Sequence, residues 1–339
     1  MFTSINNFKK FKKGENLMLR NKKNLILVLT IIMIMGIVSM GFAAERQFVA
    51  IATGGTGGTY YPLGGALAQM ISNNVEGVIV TAQSGNASVA NCNLISRGQI
   101  ETGFSQANTT YWCYTGTGIL EGTAPITNLR GIASLYPETI HILATKASGI
   151  TCIEDLKGKK VGVGAPNSGT AADAEIIINA HGLTFDDMKV DFINFNEVAQ
   201  RLIDGQIDAG FTTAGFPTSS VINVATKRDI VLIPISAEKI KELTEAIAYY
   251  GATEIPGGLY RGIDEPVPAL ATPALWICDA SLSPTLVYKM TKALWEHRDV
   301  LEKVHSQGKN ITLETALGGM GVPLHPGAEL YYKEVGLVK

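Results

Sequence analysis

The stretch FVAIATGGTGGTYYPLGGALAQM, Phe48 to Met70, decides how the rest of the chain is read. Phe48 to Ala52 is a short apolar run with strand content, and a helix is expected to begin around Pro62, whose ring suits a first helical turn. Between them lies Gly-Gly-Thr-Gly-Gly-Thr. Glycines permit backbone geometries closed to other residues and leave N–H groups uncovered, while Thr53, Thr56 and Thr59 add hydroxyls. A carboxylate can sit in such a loop without any arginine. The plainer alternative is a tight turn, but six small residues in succession exceed what a turn requires.

The device recurs. GAPNSGT, Gly164 to Thr170, follows the β-like KKVGVG and precedes a helical pattern from Thr170 to His181, so Ser168, Gly169 and Thr170 present amides and hydroxyls at a second helix start. Simple N-capping by Ser168 is the competing reading. Ser88 likewise opens a helix whose next turn carries Asn91. Around these loops short β-rich runs alternate with helical periodicity, the pattern of an α/β protein with parallel strands. The first series has strands expected at 48–52, 78–82, 102–105, 129–135 and 140–145, and helices at 62–75, 88–97 and 108–114. The second has strands at 190–195, 208–212 and 230–235, and a helix at 197–204. Gly98-Gln99-Ile100-Glu101 is echoed by Gly205-Gln206-Ile207-Asp208, so two similar lobes are implied. The segments 134–146 and 272–280 are read as crossovers between the lobes, with residues 44–145 plus 237–339 in lobe I and 146–236 in lobe II. Two crossovers make a hinge. Gly251 to Ala269, rich in Pro and Gly, is read as a loop, and 283–304 and 313–317 as mostly helical.

The first 43 residues stand apart. From Met18, a start preceded by a polar lysine-rich stretch, Arg20, Lys22 and Lys23 form a positive n-region, Leu25 to Val38 an apolar core, and Gly41 and Ala43 a small-residue cleavage pattern. Residues 1–43 are therefore expected to be an export signal cleaved near Ala43, the alternative being a retained membrane anchor. Without them, 21 basic residues face 29 acidic ones, a net charge of about −8, which argues against nucleic-acid binding. Cys92, Cys113, Cys152 and Cys278 include no C-x-x-C pair. A single disulfide, with Cys92 and Cys113 the candidate pair, and buried free thiols both fit.

Enzyme motifs are wanting. Neither glycine loop carries the lysine of a phosphate-binding loop, Tyr60 stands where a dinucleotide fingerprint needs its third glycine, and no G-x-S-x-G elbow occurs. His141, His181, His297, His305 and His325 lie too far apart for a metal motif, and Asp186-Asp187 and Glu154-Asp155 read as helix-start caps. Capture without chemistry accounts for more: two electropositive helix ends facing one cleft suit a small dianion or an amino-acid zwitterion, with Gln106, Asn108, Tyr60 and Tyr111 reading its other groups.

GGTGGTYYPLGGALA, the segment Ser88 to Asn91, NLRGIASLYPETIHI, GITCIEDLKGKKVGVGAPNSGT and GVPLHPGAELYYKEVGL together resemble the TAXI family, the extracytoplasmic solute receptors of tripartite ATP-independent periplasmic (TRAP) transporters. The resemblance spans Arg46 to Lys339. It implies an α/β type II periplasmic-binding-protein fold of two lobes, capture of glutamate, glutamine or a small dicarboxylate in the periplasm, and delivery to a TRAP membrane permease with fused subunits. It implies a monomer with no cofactor and no catalytic residue, a periplasmic enzyme on the same scaffold being the alternative. Carried onto matching positions, the ligand residues are Gly55, Thr56, Gly57, Gly58, Thr59, Tyr60, Ser88, Asn91, Gln106, Asn108, Ser168, Gly169, Thr170, Thr213, Gly215 and Pro217. Asn108 stands where the family often has aspartate, and Asn86 where a second glycine is common. Arg97, Arg130, Arg201 and Arg261 fall outside both glycine loops, so amides and hydroxyls are expected to meet the anion.

Overall fold

The computed structural model describes residues 46–339; the leader, its cleavage near Ala43 and the start at Met18 lie outside them. The first series runs β1 (Gln47–Ala52), α1 (Tyr60–Asn74), β2 (Val78–Gln83), α2 (Ser88–Ser96), β3 (Thr102–Gln106) and α3 (Ala107–Thr115), and enters the long β4 (Leu129–Thr145). The second runs β5 (Lys160–Gly162), α4 (Gly169–Ala180), β6 (Lys189–Asp191), α5 (Phe195–Ile203), β7 (Ala209–Ala214), α6 (Ser219–Lys227), β8 (Ile230–Leu232), α7 (Ala237–Ala246) and β9 (Gly251–Ile255). The chain then returns along β10 (Val267–Asp279) and closes with α8 (Pro284–Glu296), α9 (Asp299–Val304) and α10 (Pro326–Glu334). Among these residues no helix is long and apolar enough to cross a membrane.

One mixed sheet has the order β2-β1-β3-β10-β4-β7-β5-β6, with β8 beside β4 and β9 beside β10. The pair β1/β3 is parallel, as is β5/β7, and the antiparallel β10 and β4 stand between them. The echo seen in sequence has a structural meaning. Gly98 and Gly205 take positive φ at the ends of α2 and α5. Glu101 then accepts the Ala50 N–H of β1 at 2.7 Å, and Asp208 accepts the Lys160 N–H of β5 at 2.8 Å. In both halves an acid ties one parallel strand to its neighbour. This is an α/β fold of the periplasmic-binding-protein type.

Hydrophobic burial divides along the two long strands. Ile132, Ala133 and Leu135 of β4 and Ala274 and Trp276 of β10 pack with Ile51, Leu67, Phe104 and Leu294. Ile140 and Ile142 of β4 and Leu270 of β10 pack instead with Val161, Ile177 and Phe211. The changeover falls where Pro137 and Pro273 sit opposite each other in the ladder, with a register shift just beyond. Neither ring has an N–H to give, so the ladder is thinnest where one core ends and the other begins. Leu243, Tyr250, Ile255 and Ala269 pack with the second-half cores, whereas the sequence reading grouped 237–339 with the first lobe.

Three expectations differ in outline. The two strands expected at 129–135 and 140–145 are one, because Pro137 meets another proline and breaks no bond its partner needs. Gly251 to Ala269 is a hairpin rather than a loop: Gly251–Ile255 pairs with Val267–Ala271, and Pro256, Gly257, Gly258, Gly262 and Pro266 lie in the connection between them. Residues 313–317 form turns, with the Thr315 hydroxyl donating to the Asn310 and Thr312 carbonyls in competition with helical bonding. Cys92, Cys113, Cys152 and Cys278 are free thiols, the first two and the last buried. Asp155 and Asp187 cap short helical turns, as their positions indicated.

Candidate functional site

The C-terminal ends of β1, β3, β5 and β7 open onto one cavity of about 40 Å³. Strand ends that feed helices are where α/β sheets bind ligands, because loops and helix starts converge there. Three helices begin at this cavity. At α1 the position before the helix is Thr59, whose hydroxyl donates to the Gly215 carbonyl at 2.7 Å instead of capping. At α2 it is Ala87, which cannot cap and is held at φ 63°, a backbone conformation alanine rarely adopts. At α4, Ser168 Oγ accepts the Ala171 N–H at 3.1 Å. None of the three carries an acid in its first turn, so the positive ends of their dipoles are left uncompensated.

The expected residues divide into three groups. Gly55, Gly58, Thr59, Tyr60, Ser88, Gln106, Ser168, Gly169, Thr170 and Thr213 line the cavity. Asn91 and Asn108 stand behind it. Asn91 Nδ2 donates to the Ala52, Thr53 and Phe104 carbonyls, fixing β1 against β3, while its Oδ1 is buried without a partner. Asn108 Nδ2 donates to Asp173 Oδ1 at 3.1 Å. The rest form bonds across the cleft at its rim. The Gly57 carbonyl accepts the Ser219 hydroxyl at 3.0 Å and the Ser220 N–H at 3.2 Å, and Thr56 Oγ1 accepts Asn196 Nδ2 at 2.9 Å. Gly215 receives Thr59, and the Pro217 carbonyl faces His305 Nε2 at 3.1 Å. Tyr111 packs on Tyr249 and is not among the lining residues.

Two carboxyls that the sequence reading did not single out complete the site. Asp173 on α4 is fully buried and accepts Gln106 Nε2 (2.8 Å), Asn108 Nδ2 (3.1 Å), Thr213 Oγ1 (2.8 Å) and Tyr250 OH (2.6 Å). Burial raises its pKa, and those four donors oppose the rise. It thereby sets the orientation of Gln106. Glu138, in the middle of β4 and 2% exposed, lines the cavity and accepts the Tyr60 hydroxyl at 2.6 Å. Burial pushes its carboxyl well above the usual range, Tyr60 pulls the other way, and Asp173 adds to the rise. Burial beside Glu138 in turn drives the Tyr60 phenol up. A charged residue inside the apolar-β run SLYPETIHILAT was the available sign of Glu138; Asp173 shares AADAEIIINA with Glu175, and nothing in that stretch marks it apart.

No lysine, arginine or histidine lines the cavity. Arg201 pairs with Asp191, Arg261 with Asp229, and Arg130 donates to backbone carbonyls. Among the described residues no cluster of three or more His, Cys, Asp or Glu is placed to hold a metal ion. The chemical character is mixed: backbone N–H groups at helix starts and the Glu138 carboxyl line the same cavity. The space holds about three water molecules.

Comparison with solved structures finds a protein from Bordetella bronchiseptica RB50 at TM-score 0.53, with 20% identity over 87% of this chain and 90% of that one, a likeness of fold. The alkanesulfonate-binding protein SsuA from Xanthomonas axonopodis pv. citri, bound to MOPS, matches at TM-score 0.49 and 15% identity over 86% of this chain and 85% of that one. An ancestral arginine-binding protein bound to arginine matches at TM-score 0.49 and 17% identity over 78% of this chain and 98% of that one. The sequence model of the NMT1-like family matches residues 51–336, and the chain belongs to that family.

Proposed function

We propose that this protein is an extracytoplasmic solute receptor that captures a small carboxylate or amino acid by closing a cleft. The observation that carries the reading is the convergence of helix N-termini without first-turn acids, from both halves, on one cavity that no cationic side chain lines. Such ends stabilise a carboxylate through several N–H groups at once, and they strengthen as water is excluded. Exchange of the solute is read as a parting of the two walls. The walls belong to different cores joined through β4 and β10, and the proline pair in that ladder is the natural place to bend. The motif resemblance to TAXI receptors supports a TRAP permease as the acceptor of the solute and export as the route to it.

The test is calorimetry of the purified protein against L-glutamate, L-glutamine and succinate, with each mixture followed by NMR for new products. One-to-one binding of at least one compound in the micromolar range, with the compound recovered unchanged, is expected; ligand bound only by the folded form should also raise the melting temperature. Turnover would transfer the site to the enzyme reading. Absence of binding across the three would remove the acid-receptor reading.

A further inference from the structure

Resting on that receptor reading, we propose that Glu138 is the specificity-determining residue of the cavity, accepting the ammonium group of a zwitterionic amino acid and disfavouring plain dicarboxylates. Glu138 is 2% exposed, borders the cavity, and receives only one hydrogen bond among the described residues, from Tyr60 at 2.6 Å. The cavity wall supplies no basic side chain. Burial favours the protonated form of that carboxyl in the empty site, and an ammonium brought by the ligand favours the charged form and pairs with it.

Other groups lining the same cavity suit the remainder of the ligand. The starts of α1 and α4 offer N–H groups and hydroxyls, which hold an anion and have nothing to give an ammonium except the Ser and Thr oxygens. The cavity therefore offers groups for a negative charge and, in Glu138, one for a positive charge. An α-amino acid presents both within one small molecule. A dicarboxylate brings no cation: its second anionic end meets Glu138 only while Glu138 keeps its proton, so the ion pair that an ammonium allows is not formed. Asp173 is no substitute for Glu138, because its oxygens are already engaged by four donors.

L-glutamate and glutarate differ by the α-ammonium group alone and make the deciding pair. Calorimetry of the wild type at neutral pH should give L-glutamate at least about tenfold tighter binding than glutarate, the scale of one hydrogen bond to a charged group. Glu138→Gln, which keeps an acceptor for Tyr60, should erase that preference by weakening L-glutamate while leaving glutarate equal or improved. Glu138→Asp should keep part of it. If Glu138→Gln does not fold, as judged by circular dichroism, the wild-type ratio decides alone. Glutarate binding as tightly as L-glutamate, or an equal loss of both in the variant, overturns the role of Glu138 and leaves the receptor standing. Failure of the wild type to bind either acid, or any compound of the wider panel, takes down the receptor reading and this inference together.

Discussion

At the scale of single residues the cleft region is governed by buried groups whose charge state the fold dictates. His141 is fully buried, with Nδ1 at 2.9 Å from the Thr139 carbonyl and Nε2 at 3.0 Å from the Tyr260 hydroxyl. Burial pushes its pKa down to about 4 from the ordinary 6.5, against the pull of the Thr139 and Thr212 carbonyls. The folded protein thus binds fewer protons than the unfolded chain between these values, and stability falls as pH drops from 6.5 to 4. The loss amounts to roughly 3 kcal/mol. Glu138 and Asp173 run the other way: their raised values make the folded state the better proton binder, so their contribution declines as pH rises above the usual carboxylate range. Comparing urea unfolding of the wild type and His141→Gln at pH 6.5 and pH 4 isolates the histidine. The variant should lose about 3 kcal/mol less across the interval; equal losses would refute a neutral, proton-refusing His141. Sequence reading gave this histidine no metal motif, and ten of its sixteen ligand candidates line the cavity. It passed over Glu138 and Asp173, because an acid within an apolar run announces burial but not what it faces. That depends on which strand and helix lie across the cleft.

At the scale of elements, the β-α units were legible because each glycine loop separates a β-branched run from a helical period. Helices α1, α2 and α4 begin within two residues of their expected positions. Helix α7 was not foreseen, although Ser236 caps it by accepting the Lys239 N–H and Ile240 and Leu243, three residues apart, pack on the second-half core. What sequence could not show is how the helix starts meet. A Cβ added at Gly169, the first residue of α4, would overlap Gln106 Oε1 and Cδ and come within 2.8 Å of Ser88 Oγ, both from the other half. The glycine is required by the closed cleft and not by the helix, since no positive φ is imposed there. Gly169→Ala should therefore leave the melting temperature unchanged or slightly higher, as alanine favours a helix over glycine by up to about 1 kcal/mol. Ligand affinity should fall at least about tenfold, in line with the cost of overpacking. A drop in melting temperature with unchanged affinity would place the glycine's role in α4 itself.

At the scale of the whole molecule, the closed form is held by direct bonds between halves that a ligand must replace or outlast. Asn196 Nδ2 to Thr56 Oγ1 at 2.9 Å, Ser219 Oγ to the Gly57 carbonyl at 3.0 Å, and the Ala90 N–H to the Asn167 carbonyl at 3.1 Å all span the rim. Each contributes about 1 kcal/mol at most in partly exposed positions, so together they hold the cleft shut loosely enough for exchange. A covalent link at the rim converts that balance into a lock. In a Cys152→Ser background, which removes the one cysteine that is not buried, Thr56→Cys with Asn196→Cys places two thiols where the side chains now touch. Oxidation before ligand is added should exclude it, and oxidation after loading should retain it through dialysis, with dithiothreitol reversing both. The sheet and the site chemistry stay intact in either state, so a change in exchange rate reports the parting of the walls alone. If the oxidised protein gains and loses ligand as fast as the reduced one, the solute reaches the cavity by some path other than bending at Pro137 and Pro273, and the two-core division of β4 and β10 is architecture without motion.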